Sequence, residues 1–263
     1  MAESPAPEVV VQDQGPVRLI RLQRPSAKNA LTREVIATLY EALQGAGSAP
    51  EVRAVVLSGV PGAFCSGADL RWLSKEIDAG SEVGPTLQRF QALTLSLVEL
   101  QKPVVAAVTG PAVGFGADLA LACDFRVFGE SAYLQEKFVA IGLMPDGGGS
   151  YFLTRLLGVA RALEMLMLGS RIDAAQAVSL GLASSLTADS DTEAAALALA
   201  KTLAEGPPLA LARIKQAVHG SSGELRAALA RESEGQLALL ASEDAKEGIR
   251  AFLERRTPKF RGV

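Results

Sequence analysis

The sequence predicts an α/β protein in which buried parallel strands alternate with helices, followed by a helical C-terminal region. Short apolar runs of the kind that form buried strands recur through the first 130 residues. Helices with one apolar face separate these runs, and the strand–helix–strand order favours parallel strands in one layer. After residue 150 the strand patterns fade, and helical patterns follow one another along the rest of the chain.

The elements of the first half follow from periodicity and capping. Thr32 is placed to cap a helix whose apolar residues repeat every three or four positions. A second amphipathic helix is predicted over 83–100. Strands are predicted at 17–22, 54–57, 104–108 and 125–128.

The second half is predicted to be helical, with a break in the pattern at residues 205–208, where a glycine and two prolines follow Glu205. This break predicts a boundary between a unit of residues 1–205 and a unit of residues 206–263. Ser242 is placed to cap the last helix, and Arg255 and Arg256 lie in its last turn. Helices are predicted at 150–157, 161–168, 192–205, 208–219, 224–241 and 243–256.

Composition excludes several classes of protein. The 263 residues carry 26 Lys plus Arg against 29 Asp plus Glu, a net charge of −3, which argues against a nucleic-acid partner. No apolar run approaches the roughly 18 residues of a membrane-spanning helix. The N-terminal segment lacks a basic stretch followed by an apolar core, so no signal peptide is expected. We therefore expect a cytoplasmic protein with no membrane partner.

The counts of cysteine and histidine limit the chemistry. Cys65 and Cys123 are too few for a disulfide framework or a zinc cluster, and their apolar neighbours predict buried thiols. His219 is the sole histidine, and it ends a predicted helix, where a cation suits the helix dipole. No metal site is expected. Catalysis must then depend on carboxylates, backbone N–H groups or an organic cofactor.

Three glycine-rich segments, residues 62–70, 110–118 and 142–149, lie where a strand ends or a helix begins. Such turns leave backbone N–H groups without partners. Two N–H groups from different turns can bind one oxygen as an oxyanion hole. A purely structural use of the glycines is the alternative. A dinucleotide-binding loop is disfavoured, because the third glycine of its motif is replaced by Leu119.

These segments belong to a longer series of landmarks that runs almost end to end. In this order and spacing, the series resembles the crotonase superfamily, also called the enoyl-CoA hydratase/isomerase family. The landmarks are Arg24-Pro25, Lys28-Asn29-Ala30-Leu31, the segment 64–70, the segment 102–108, the turn at 110–118, Ala122-Cys123-Asp124, Gly142-Leu143-Met144-Pro145, Ala174-Ala175-Gln176-Ala177 with Gly181-Leu182, and the tail at 247–256.

The resemblance implies a crotonase-type spiral of ββα units in residues 1–205, with acyl-CoA binding and the active site there. It also implies that residues 206–263 form a trimerisation region, giving a homotrimer or a dimer of trimers. The substrate would be an acyl-CoA thioester, with coenzyme A part of the substrate and no separate cofactor. The oxyanion hole would use the backbone N–H groups of Ala68 and Phe115, where Phe115 replaces a glycine more common in the family.

The resemblance also implies which residues contact coenzyme A. The adenine would lie near Ala27 and Lys28 and near the turn after Ala68, and a C-terminal phenylalanine would come from a neighbouring subunit. Cations that could bind the phosphates, or be ordinary surface charges, are Arg24, Lys28, Arg71 and Lys259. Residues 72–86, beginning with Trp72, would form a flap over the acyl group. The expected substrate contacts are Ala27, Lys28, Ser66, Asp69, Leu70, Phe138 and Phe260.

The expected catalytic carboxylates depart from the hydratase pattern. Hydratases of the family use two glutamates, and this chain has Asp118 at one position and Phe138 at the other. Glu136 lies two residues before Phe138 but is not counted as its replacement. Asp146 follows Pro145, as an aspartate does in several isomerase members of the family. An apolar setting would raise the pKa of both aspartates, which suits proton transfer near neutrality.

The sequence thus favours an enoyl-CoA isomerase in which Asp146 carries the proton and Asp118 assists. Whether the short Asp118 side chain reaches the substrate stays open. One alternative is a hydratase that uses Asp118 and holds water in another way. A third reading, from another class, is a CoA-binding protein without catalysis. Dehalogenation is disfavoured, because no histidine precedes the second glycine turn.

Overall fold

A computed structural model describes residues 7–220 and 222–263. The first six residues, part of the segment in which no signal peptide is expected, lie outside the described residues. The strands are β1 (Val9–Gln14), β2 (Val17–Leu22), β3 (Ala54–Ser58), β4 (Val104–Val108), β5 (Pro111–Val113), β6 (Phe125–Gly129), β7 (Tyr133–Gln135), β8 (Arg171–Asp173) and β9 (Ser185–Thr187).

Helices account for most of the remaining described residues. Short 3₁₀ helices occur at Pro25–Ala27, Phe138–Ile141 and Asp189–Asp191. The α-helices are α1 (Arg33–Ser48), α2 (Leu70–Asp78), α3 (Gly84–Glu99), α4 (Phe115–Ala122), α5 (Gly149–Leu157), α6 (Val159–Leu168), α7 (Ala174–Ser179), α8 (Thr192–Glu205), α9 (Pro208–His219), α10 (Gly223–Leu240) and α11 (Glu243–Leu253).

The strands of the described residues form a larger and a smaller sheet. The larger has six strands in the order β1-β2-β3-β4-β6-β9, and every pair except β1–β2 is parallel. The smaller has the order β5-β7-β8, with β5 and β7 parallel and β8 antiparallel to β7. The predicted α/β class with parallel strands is therefore confirmed.

Both faces of the larger sheet are covered by helices, which explains why its central strands are apolar throughout. One face packs against residues of α1, α3 and α4 in the main core. The other face, with Val56 and Val105, packs against the small residues Ala196, Ala200 and Ala204 of α8. In a strand that is buried on both faces, an apolar side chain stabilises the fold at every position. The residues of β3 and β4 therefore do not alternate between polar and apolar.

The structure agrees with most predicted elements. Thr32 caps α1 by accepting the Val35 N–H, and Ser242 caps α11 by accepting the Ala245 N–H. The last helix ends at Leu253, earlier than predicted. The expected flap at 72–86 includes most of α2 and the start of α3. The expectation that strands end before residue 150 is wrong, because β8 and β9 follow it. Strands of three residues, including β5 and β7, are too short to show a periodicity.

The C-terminal helices pack against the rest of the chain. On α10, Leu225, Ala228, Leu229 and Leu240 are buried within this chain, whereas Leu237 is 38% exposed. These apolar residues of α10 are therefore largely covered by the chain itself. The domain boundary near residues 205–208 stays a prediction.

Candidate active site

Two of the glycine-rich turns meet at the carboxyl ends of β3 and β4. The Cys65 N–H donates to the Pro111 carbonyl at 3.0 Å, and the Val113 N–H donates to the Cys65 carbonyl at 3.0 Å. A side chain at Gly67 would lie 2.7 Å from the Val113 carbonyl oxygen, and Gly67 has a φ of +86°. This close approach and this backbone conformation both require glycine.

The backbone N–H groups of Ala68 and Phe115 lie at this junction. A Cβ built on Gly67 would be 3.5 Å from the Phe115 nitrogen, so the two turns are adjacent here. Phe115 is the first residue of α4, where helix geometry supplies no acceptor. Within the described residues neither N–H has a hydrogen-bond acceptor. The turns therefore offer two unpaired donors, as an oxyanion hole requires.

Ala68 and Phe115 line a largely apolar cavity of about 140 Å³. Its wall includes Trp72 and Leu73 of α2, Phe90 of α3 and Phe138. The region after residue 205 also contributes, so the cavity is not confined to the first 205 residues. Its C-terminal lining residues are Gln236, Leu240 and Phe252.

The Phe115 ring points into the core. It packs edge-to-face on Phe90, with the ring centroids 4.5 Å apart, and only 1% of the residue is exposed. The Phe138 ring lies beside the oxyanion turn, since a Cβ built on Gly114 would be 3.6 Å from it. Phe138 therefore narrows the cavity next to the candidate oxyanion hole.

Asp146 is the one carboxylate of the described residues that lines this cavity. Its Oδ2 accepts a hydrogen bond from Nε2 of Gln236 at 2.9 Å, and its Oδ1 is buried without a partner among the described residues. Burial raises the pKa of Asp146 to about 7, although the Gln236 bond opposes that rise and the nearby Glu232 adds to it. A group with this pKa can take and return a proton near neutral pH.

The structure argues against a helix-capping role for Asp146. The α5 helix begins at Gly149, and no side chain of its own N-cap residue bonds to it. The Glu232 carboxylate of α10 caps α5 instead, because it accepts the N–H groups of Gly148 at 2.8 Å and Ser150 at 3.0 Å. The Asp146 carboxylate therefore does not cap α5.

Asp118 lies behind the cavity wall. It is fully buried, and a side chain at Gly147 would meet its Oδ2 at 2.6 Å. Neither of its carboxyl oxygens has a hydrogen-bond partner among the described residues. Burial, and then the neighbouring Glu136 carboxylate, raise the pKa of Asp118 well above its usual value. Asp118 does not line the cavity as Asp146 does.

Glu136 is a buried carboxylate that the sequence reasoning passed over. It is 1% exposed, and its Oε1 would lie 3.2 Å from a side chain at Gly149. Burial and the nearby Glu232 raise its pKa well above the usual value, while the neighbouring Asp118 carboxyl group opposes the rise. The signal was present, because Glu136 follows the buried Leu134 at the spacing of two that places strand residues on one face.

Glu232 is the second missed carboxylate. It is 1% exposed, and burial raises its pKa, whereas its bonds to Ser150 and Gly148 lower it. Its helical spacing from Leu225 and Leu229 would have placed it on the buried stripe of α10. The four carboxyl groups gathered around the third glycine turn are Asp118, Glu136, Asp146 and Glu232.

The expected coenzyme A contacts divide into two groups. Ser66, Leu70 and Phe138 line the cavity. The Ser66 side chain donates to the Ala27 carbonyl, and its N–H donates to the Lys28 carbonyl, so the two loops are joined. Lys28 itself is exposed at this rim.

Two other expected contacts have structural partners in this chain. Asp69 caps α2 by accepting the Arg71 and Trp72 N–H groups, and it pairs with Arg24 at 3.3 Å. Phe260 is 44% exposed and does not line the cavity of its own chain. Its tail is held to α11 by the Arg261 N–H, which donates to Asp244. The assignment of Phe260 to a neighbouring subunit stays a prediction.

The cysteines and the histidine lie as expected. Cys65 and Cys123 are buried free thiols, and burial raises the pKa of each to about 12. His219 ends α9, with its Nε2 3.3 Å from the Asp124 carboxylate, and it does not line the cavity. Within residues 7–220 and 222–263, no group of three or more His, Cys, Asp or Glu side chains is arranged so that it could hold a metal ion.

Comparison with known proteins places this geometry in a family. Residues 12–263 match the family model described as enoyl-CoA hydratase/isomerase. The chain belongs to this family, the crotonase superfamily. A probable enoyl-CoA hydratase of Rhodobacter capsulatus is 42% identical over 93% of this chain and 94% of the relative. The 2,3-dehydroadipyl-CoA hydratase of Escherichia coli is 38% identical over 97% of this chain and 99% of the relative.

Solved structures of the enoyl-CoA hydratase/isomerase family agree with the fold. An enoyl-CoA hydratase from Mycobacterium avium subsp. paratuberculosis superposes with a TM-score of 0.88 at 35% identity, over 98% of this chain and all of the other. The crotonase-type α/β fold with its C-terminal helices is therefore confirmed, and the chain is an enzyme of the hydratase/isomerase type. No helix among the described residues is long and apolar enough to cross a membrane.

Proposed function

We propose that the protein is an enoyl-CoA isomerase that moves a double bond along an acyl-CoA. Asp146 takes a proton from Cα of a 3-enoyl thioester and returns it to Cγ, which leaves a 2-enoyl thioester. The Ala68 and Phe115 N–H groups hold the negative charge that develops on the thioester oxygen between the two steps. Asp146 supports this proposal because it alone, among the carboxylates of the described residues, lines the cavity.

One well-placed carboxylate is enough for this reaction, because the proton that leaves Cα is the proton that arrives at Cγ. The elevated pKa of Asp146 makes it both a stronger base than an ordinary aspartate and an acid that can return the proton. The phenyl ring of Phe138, which faces the same cavity, cannot orient a water molecule. This apolar wall favours proton transfer within the acyl chain over attack by water.

A hydratase is the second candidate, and the names of the relatives favour it. Both the Rhodobacter capsulatus and the Escherichia coli proteins are named as hydratases. Hydration would need a second group to hold water, and Asp118 and Glu136 are the nearest buried carboxyl groups. Both lie behind Gly147 and Gly149 rather than on the cavity wall. This position makes them poorer partners for a water molecule.

The experiment compares two substrates of one chain length. We expect 3-hexenoyl-CoA to be converted to 2-hexenoyl-CoA much faster than 2-hexenoyl-CoA is hydrated. Fast hydration with slow isomerisation would establish the hydratase. Tight acyl-CoA binding by calorimetry, without turnover of either substrate, would establish a CoA-binding protein without catalysis.

The remaining parts of the proposal concern coenzyme A and assembly. The coenzyme A side of the site would lie at the rim where Ser66 joins the two loops, and its residues would be Ala27, Lys28, Ser66, Asp69 and Leu70.

A homotrimer or a dimer of trimers in the cytoplasm would complete the site, with Phe260 from a neighbouring subunit. Large apolar residues exposed on α6 and α9 support an assembly, because water-facing apolar groups favour burial. They are Val159, Leu163, Met167, Leu168, Leu209, Ile214 and Val218.

A further inference from the structure

Gln236 lies on α10, far along the chain from the glycine turns, and its side chain reaches the cavity. It is 1% exposed and contacts the third glycine-rich segment at two points. Its Nε2 donates to Oδ2 of Asp146 at 2.9 Å, and its Oε1 accepts the Met144 N–H at 3.1 Å. Gln236 thus bridges the residues on either side of Pro145.

The two contacts fix the orientation of the amide. A backbone N–H can only donate, so the atom facing Met144 must be the carbonyl oxygen of Gln236. The amino group must then face Asp146. Since that group can only donate, the arrangement favours an ionised Asp146 oxygen at Oδ2 as its acceptor.

We propose that Gln236 is the positioning residue for Asp146: it holds Oδ2, so that Oδ1 is the oxygen that takes and returns the proton. This inference rests on the proposed function of Asp146. Oδ1 is buried and has no other partner among the described residues, so it is the oxygen available for a new bond. Gln236 acts through Asp146 and does not itself transfer a proton.

The charges around Asp146 show why this hydrogen bond matters. Glu232 of α10 faces Asp146, and Asp118 and Glu136 interact with it from the other side of the glycine turn. Each of these groups, when ionised, disfavours a negative charge on Asp146. Gln236 provides the main opposing contact, since its hydrogen bond lowers the pKa that burial raises.

The test replaces Gln236 by methionine, which keeps the length of the side chain and removes the donor. The control is Gln91→Met. Gln91 also donates a hydrogen bond to α10, to the Leu229 carbonyl at 2.7 Å, but it has no contact with Asp146 and does not line the cavity. Gln91→Met thus loses one hydrogen bond to α10, whereas Gln236→Met loses two, the bond to Asp146 and the bond from the Met144 N–H.

Two measurements follow the Asp146 titration. Carbon-13 NMR of labelled aspartate carboxyl groups gives the titration midpoint in the substrate-free protein, and Asp146→Asn identifies the resonance. The pH profile of kcat/KM for a 3-enoyl-CoA gives the midpoint of the acid limb. We expect Gln236→Met to raise both midpoints by about one pH unit. A shift of this size corresponds to the free energy that one hydrogen bond to a charged group contributes. Gln91→Met should leave both in place.

A second variant, Gln236→Glu, keeps the shape and the acceptor for Met144 but places a carboxylate against Asp146. It should raise the midpoint further than Gln236→Met does, because a negative charge on one carboxylate disfavours ionisation of the other. An unchanged midpoint in both Gln236 variants would overturn the positioning role. Isomerisation that survives Asp146→Asn would overturn the proposed function instead, and the NMR titration distinguishes the two failures because it needs no turnover.

Discussion

Glu232 and Ser150 lie 82 residues apart in the chain, and the Glu232 carboxylate accepts both the N–H and the O–H of Ser150. With the Gly148 N–H, this carboxylate satisfies donors at the start of α5 that the helix cannot satisfy itself. The C-terminal helix α10 therefore fixes the turn that follows Asp146. Gln236, one turn further along α10, holds Asp146.

Removing this cap should destabilise the protein. We expect Glu232→Ala to lower the free energy of unfolding by about 2 kcal/mol or more, because buried N–H groups lose their acceptor. Urea unfolding at fixed protein concentration measures the change. Glu224→Ala is the control, since Glu224 is a largely exposed partner of Arg155 and such pairs contribute little. Equal effects of the two variants would contradict the capping role.

The roles of the two aspartates can be separated by matched substitutions. Asp146→Asn keeps the shape and removes the base, so it should abolish isomerisation while acyl-CoA binding by calorimetry persists. Asp118→Asn should cost less, because Asp118 lies behind the cavity wall. Equal losses in kcat, or fast hydration of crotonyl-CoA that Asp146→Asn leaves unchanged, would favour the hydratase.

The Phe115 N–H can be tested with a pair of variants. Phe115→Ala and Phe115→Pro both remove the ring that packs on Phe90, and only proline removes the N–H. Proline is tolerated at this first position of α4. We expect the proline variant to have a kcat on the order of 10²-fold below that of the alanine variant.

Two further results bear on the oxyanion assignment. Phe115→Gly should keep the donor and activity, with a loss of stability because the packing on Phe90 is lost. If the alanine and proline variants turn over substrate at the same rate, the Phe115 N–H is not part of an oxyanion hole. Thermal unfolding of all three variants shows whether packing losses are comparable.

The buried carboxyl groups predict a pH dependence of stability. Folding raises the pKa of Asp118 and Glu136 well above 3.8 and 4.5, and that of Asp146 from 3.8 to about 7. At any pH between the unfolded and the folded pKa of one of these groups, the folded state therefore binds more protons than the unfolded state. The contribution is fully present below pH 3.8 and is lost as the pH rises through the folded pKa of each group.

The variant Asp118→Asn isolates part of this effect, because asparagine stays neutral. Its stability relative to wild type should rise between pH 5 and pH 8, as measured by urea unfolding in one set of buffers. Exposed carboxylates such as Glu243 titrate alike in both proteins and cancel in the difference. The same pH slope in both proteins would show that Asp118 does not hold a proton in the folded state.

The assembly can be tested in solution. We expect sedimentation at micromolar concentration to give a trimer of the 27.4 kDa chain or a multiple of it. Leu163→Glu and Met167→Glu, on exposed positions of α6, should weaken this assembly by placing charges in the buried surface. Val11→Glu, an exposed position in the strand β1, is the control. A monomer in the wild type would contradict the proposed trimer.

Much of the site was contained in the sequence, because its oxyanion donors depend on local backbone geometry. The strands β3 and β4 are continuous apolar runs that can be recognised in the sequence. The turns after them need glycine at positions such as Gly67, because the backbone there has a positive φ. The positions of the Ala68 and Phe115 N–H groups follow from those turns. The family could therefore be identified from the spacing of such segments.

The tertiary structure alone decided which side chains surround Asp146. On α10 the amide side chain of Gln236 is buried against Asp146, whereas the apolar side chain of the next residue, Leu237, is 38% exposed. Glu136 was set aside because it lies two residues from the expected position, and Glu232 was passed over because a charged residue is normally exposed. The burial of Glu232 is possible because Gly148 and Ser150, far away in the chain, donate hydrogen bonds to its carboxylate. Periodicity describes only neighbours along one element, whereas the free energy of burying a carboxyl group depends on partners that folding brings from elsewhere.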